Sequence, residues 1–152
     1  MYIATVARTM LVLPVVSIVA GHALDPAAPW LELFGRWFVF WGVGVRLTLA
    51  GVRQFFQPAF TAREIFHMTS NEALPLVREL GVANVATGVV GLLSLAASSF
   101  TLPAAIAPAI FFGAAGFRHM AERDRSRNET VAMASDLFLF VALAVFVIGT
   151  TA

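Results

Sequence analysis

Five apolar stretches, each about as long as a helix that spans a bilayer, leave this chain little choice of fold. A hydrocarbon core about 30 Å thick takes roughly 20 mostly apolar residues as an α-helix. The stretches cover roughly residues 3–23, 31–54, 77–99, 103–119 and 130–150. Inside hydrocarbon every backbone N–H and C=O needs a partner within its own segment, so such stretches become helices. Of 152 residues, 59% are hydrophobic and 12% are charged. That is half the charged fraction of about 25% typical of soluble domains, and too little polar surface remains to coat a water-soluble globule. The expectation is one all-α domain over residues 1–152, a polytopic transmembrane helical bundle of five spans: a four-helix core plus an N-terminal span.

The arginines set a direction. Every basic residue is arginine, which, with abundant Ala, Gly and Val, suggests a GC-rich genome. Arg8 lies near the N-terminus, and none lies between Gly21 and Trp30. Arg53, Arg63 and Arg78 flank the second connection; the third, Ser98-Ser99-Phe100-Thr101, has none; Arg118, Arg123, Arg125 and Arg127 crowd the fourth. Cytoplasmic loops carry the basic excess. The pattern therefore predicts a cytoplasmic N-terminus and an external C-terminus in a cytoplasmic (inner) membrane. A cleaved leader is the competing reading of the first stretch, but one arginine and an apolar run broken by Pro14 fit it poorly. A net charge of +1 without a basic stripe argues against nucleic acid. With no cysteine, disulfides and thiolate metal sites are excluded.

Local signals refine the picture. Thr61 with Glu64, and Ser126 with Glu129, have capping-box spacing. The first is expected to open a short amphipathic interfacial piece, AREIFHM, and the second to start the last span. Thr69 with Glu72 is expected to start the helix of the third span. Pro103 and Pro108 fall in the first turns of the fourth span, where a missing N–H is tolerated. Trp30, Trp37 and Trp41 cluster in the outer half of the second span, and Trp30 suits an aromatic belt. Small residues mark contact faces in lipid. Ala83, Thr87, Gly91 and Ser94 share a face of the third span, with Asn84 and Gly88 on a neighbouring one; Ala105, Ala109, Gly113 and Gly116 share a face of the fourth. The expectation is that the third and fourth spans pack against each other.

Ionisable residues inside a span are costly, so they face the interior and pair. Arg46 lies seven residues inside Arg53, and Asp136 seven inside Glu129. At a rise of about 1.5 Å per residue, both sit about 10 Å from the inner boundary. They are expected to pair. Nearer the boundary lie Arg53, Gln54, Arg78, Glu79, Asn84 and His119. The candidate site is therefore an intramembrane polar cluster of Arg46, Arg53, Gln54, Glu79, Asn84, His119 and Asp136. It reads either as an inward-opening cavity or as a polar clamp that fixes helix register. His22 and His119 fall at opposite ends, which rules out a haem held by that pair. His67 and His119 share the inner side and could join Glu72, Glu79 or Glu122 at a metal, but no ligand spacing such as His-Glu-x-x-His supports this; hydrogen-bonded interfacial histidines are the favoured reading, and no metal or cofactor is expected. Neither a serine nucleophile with a nearby base nor a phosphate loop is present.

The segments FGRWFVFWGVGVRLTLAGVRQFFQPAFTA, RELGVANVATGVVGLLS, PAAIAPAIFFGAAGFRHM and NETVAMASDLFLF together resemble a bacterial and archaeal family of small multi-pass membrane proteins of unknown function, similar in size and helix count to DoxX-like proteins. The resemblance covers roughly residues 30–148, and its polar positions here also include Asn128 and Glu129. It implies a membrane helical protein and names no reaction. The leading functional reading is non-enzymatic: a small-ligand or lipid-binding module, or an accessory subunit with a membrane-protein partner or a second copy of itself. The alternative is a membrane enzyme or oxidoreductase component that holds a lipid or quinone head group, with Glu79, His119 and Asp136 handling protons. A proton-coupled transporter ranks below both, because no inverted repeat or broken helix pair is seen.

Overall fold

The computed structural model describes residues 2–152, and all regular structure among them is helical. Helix α1 (Tyr2–Ala7) runs through a π-helical turn (Arg8–Val12) into α2 (Leu13–Leu24). The turn ends just before Pro14, whose ring would crowd a regular α-helical carbonyl four residues back. A second continuous run joins α3 (Trp30–Phe38), a π-helical stretch (Val39–Val45) and α4 (Arg46–Phe56). Then follow the short α5 (Pro58–Glu64), α6 (Ala73–Leu93), a 3-10 turn (Ser98–Phe100), α7 (Thr101–Ala121) and α8 (Arg127–Thr151).

Four helices are long and apolar enough to cross a membrane: Ile3–Leu24, Ala73–Leu93, Ser98–Ala121 and Arg127–Thr151. The run over residues 30–56 is long enough, but Glu32, Arg36, Arg46 and Arg53 dilute its apolarity, and it is not among the four. The outer faces are apolar: Val16, Ile110, Val141 and Ile148 are each more than half exposed. Polar Asn84, Ser135, Asp136 and Glu129 are buried instead. This inside-out arrangement suits hydrocarbon and not water.

Glycines decide which helices meet. On α6, Gly81, Gly88 and Gly91 are buried against Gly51, Thr48 and Gly44 of the 30–56 run. A Cβ on Gly91 would stand 2.6 Å from the Gly44 nitrogen, and one on Gly44 2.8 Å from the Leu92 nitrogen. Backbones touch there, and no side chain fits between them. The run's other face receives α8: Phe146 covers Gly35, and a Cβ on Gly42 would stand 2.6 Å from Leu139. On α7, Gly113 and Gly116 form hollows for Phe140 and Leu137 of α8. In each pair the residue numbers rise on one helix as they fall on the other, so the partners are antiparallel. Val39, Val43, Leu139, Leu143 and Phe112 fill the centre. Arg53, Arg63, Arg78 and Arg118 thus gather at one end of the structure.

Several expectations are corrected. The third and fourth spans do not form the main pair: α6 packs chiefly on the 30–56 run and α7 on α8, with only a minor contact between them. The small face of the run itself, Gly44, Thr48 and Gly51, matches Gly91, Gly88 and Gly81 in antiparallel order, and this closer match wins. Ala83 is exposed. Thr61 is inside α5, because Pro58 at the first position starts that helix earlier. The chain leaves helical geometry after Glu64, and His67 takes a left-handed φ of 53°. The third span starts at Ala73 and ends at Leu93. Pro108 lies in the interior of α7 because the helix starts at Thr101.

Replacing Gly91 by Val should force the α6 and α4 backbones apart and cost about 1–3 kcal/mol. The readout is a lowered thermal midpoint of the detergent-solubilised protein. Ala83→Val on the exposed face should change stability by less than about 0.5 kcal/mol. Equal effects would mean that the helices meet on another face.

Candidate functional site

The Gly42–Leu139 contact fixes what lies one turn further along both helices. Arg46 follows Gly42 by four residues and Asp136 precedes Leu139 by three, so the antiparallel crossing brings them together. Arg46 Nη2 donates to Asp136 Oδ1 at 2.7 Å and to Ser135 Oγ at 3.0 Å. The two side chains are 12% and 10% exposed. The Arg46 guanidinium also lies 4.9 Å from the ring centroid of Phe112 on α7. A charge so placed in hydrocarbon needs its counter-charge, and the expected Arg46–Asp136 pair is present.

The pair lines a cavity of about 650 Å³, within the roughly 300–1,000 Å³ of small-molecule sites. Of the candidate cluster, Arg46, Arg53, Gln54, Asn84, His119 and Asp136 line it. Glu79 does not; it lies exposed on α6. Asn84 Nδ2 donates to Gln54 Oε1 at 2.8 Å, tying α6 to α4 beside the buried glycines. Arg53 stacks 3.6 Å from the ring centroid of Phe60. Among the described residues, no carboxylate lies within ion-pair distance of it. Apolar lining comes from Leu49, Val52, Phe56, Leu80 and Phe111. Thr9 on the first helical run closes another side.

Beyond His119 lies a second polar layer, in which the expected inner-side residues His67, His119 and Glu122 meet around Glu129, a member the sequence did not reveal. Glu129 opens α8, and its carboxylate is completely buried. Its Oε2 lies 2.6 Å from His67 Nε2 and its Oε1 3.1 Å from His119 Nδ1. Glu122, ion-paired with Arg118 at 2.8 Å, approaches from the turn after α7. The hydrogen bond to Glu129 holds the exposed His67 imidazole above its ordinary pKa. Glu122 is also raised, first by its hydrogen bond to Glu129 and then by burial. Only half of the expected capping box forms. Ser126 Oγ accepts the Glu129 N–H at 3.1 Å, while the Glu129 side chain turns to the histidines. The box spacing disguised Glu129 as a cap, and nothing in the order of the chain joins His67 to it.

The profile of a family of unknown function (DUF6790) matches residues 3–151, and the chain belongs to that family. No curated protein and no solved structure matches it.

Arg46→Ala or Asp136→Asn alone strands the opposite charge and should cost about 3–5 kcal/mol. The double variant should cost clearly less than the sum. A double-mutant cycle on unfolding measures this coupling, and strict additivity would show that the pair carries no energy.

Proposed function

We propose that this member of the DUF6790 family is a five-span membrane protein whose cavity binds an amphipathic ligand, a lipid with an anionic head group, without transforming it. The supporting observation is Arg53. Arg46 is neutralised by Asp136, whereas Arg53 faces the same cavity with an aromatic ring beneath it and, among the described residues, no carboxylate within ion-pair distance. An arginine fork matches phosphate or carboxylate oxygens bidentately. Gln54 and Asn84 add polar atoms at the head-group end, and Leu49, Val52, Phe56, Leu80 and Phe111 offer an apolar bed for a chain.

In this reading the 30–56 run is the fifth crossing, since its charged residues face either protein or the cavity, or lie at its ends. The arginine-rich end faces the cytoplasm, which leaves the N-terminus inside and the C-terminus outside. A bacterial or archaeal inner membrane, and a size and helix count like those of DoxX-like proteins, belong to the same proposal. A second reading has one observation in its favour. His119 and Asp136 line the cavity together, and such a pair suits proton exchange with a quinone head group.

Native mass spectrometry of gently extracted protein should detect a retained anionic lipid. Arg53→Gln should lower its occupancy about tenfold or more, as expected for a lost charge-assisted contact, while Arg63→Gln should leave it unchanged. A retained quinone would favour the second reading. An empty cavity, or equal lipid retention in both variants, would contradict the proposal.

A further inference from the structure

His67, Glu122 and Glu129 come from three separate places in the chain: the segment after α5, the turn after α7 and the first turn of α8. One donor atom from each lies within 4.8 Å of the others. We propose that these three side chains bind a divalent first-row transition-metal ion, with His119 as the outer partner that orients Glu129. The proposal is independent of the lipid-binding reading, since the cavity's lining includes none of the three.

The chemistry favours an ion. Two carboxylates that converge carry two negative charges, and Glu129 is shut off from water entirely. Among the described residues, Arg118 pairs with Glu122, and no arginine pairs with Glu129. A divalent cation would neutralise both carboxylates at once. An imidazole with two carboxylates suits zinc, manganese or iron(II), and an imidazole ligand disfavours magnesium.

The geometry requires little change. Donors bound at about 2.0–2.1 Å stand about 2.8–3.4 Å apart at 90–109°. The 2.6 Å contact between His67 and Glu129 would therefore open by roughly half an ångström. His67 is 47% exposed and lies outside any helix, and Glu122 is 32% exposed, so both can adjust. Glu129 cannot, but His119 holds it at 3.1 Å, the position of an outer partner that fixes a ligating carboxylate. Three protein ligands leave a coordination position open to water.

The test is isothermal titration of Zn²⁺, and separately Mn²⁺, into untagged full-length protein in detergent after stripping with a chelator. The expected result is about one equivalent per chain with release of protons. Binding should vanish in the His67→Ala/Glu122→Gln double variant. His119→Ala should weaken it roughly 10- to 100-fold, the usual effect of losing an outer partner. Circular dichroism checks that the variants stay helical. If the double variant unfolds, ring-nitrogen NMR of the wild type decides, with Zn²⁺ expected to shift His67 and leave His22 unmoved. No binding of either ion, binding that survives the double variant, or equal shifts at His22 and His67 would overturn the site and leave a clamp held by protons.

Discussion

The close approach of the 30–56 run to helices on both of its sides is the contact on which the polar interior depends. Lipid tails are as apolar as leucine, so helices in a bilayer meet through shape and hydrogen bonds and gain little from excluding water. Gly44 and Gly51 let α6 touch the backbone of the run, while Gly35 and Gly42 admit Phe146 and Leu139 of α8. Both contacts are antiparallel, and together they set the register of three helices. The ion pair of Arg46 and Asp136 is a consequence: it lies one turn beyond the Gly42–Leu139 contact. The π-helical stretch Val39–Val45 ends immediately before Arg46, whose N–H reaches back to the Trp41 carbonyl. Such stretches often mark functional positions in helices.

From that register the polar groups fall into two layers. The deeper layer, Arg46 with Asp136 and Ser135, is electrically closed and ties α4 to α8. The layer near the arginine-rich end, His67, His119, Glu122 and Glu129, ties α5's exit to α7 and α8. His119 belongs to both, since it contacts Glu129 and also lines the cavity that reaches Asp136. Arg53 differs from these groups because, among the described residues, no carboxylate lies within ion-pair distance of it.

Much of this was legible in the order of residues, and the remainder failed for identifiable reasons. Apolar length located the helices, and depth along two of them was enough to pair Arg46 with Asp136. Depth alone also grouped six cavity residues, but it could not tell which side of α6 carries Glu79, which turned out to be exposed. The helix pairing failed because small residues name a face without naming its partner. The antiparallel match of Gly44, Thr48 and Gly51 to Gly91, Gly88 and Gly81 held the missing information. Glu129 was concealed by a capping pattern that is half real; His67 was placed on one side with His119 and Glu122, but its contact with Glu129 depends on a left-handed backbone turn that no periodicity announces.

The central claim is that the 30–56 run crosses the bilayer and returns the arginine-bearing turns to one compartment. Because the chain has no cysteine, single cysteines can report it without background. Ala27→Cys, Ser70→Cys, Ser98→Cys and Asp124→Cys would each be exposed to a membrane-impermeant maleimide in intact cells. The account predicts labelling at positions 27 and 98 from outside, and at 70 and 124 only after the membrane is opened. Labelling of positions 27 and 70 from the same side would contradict it.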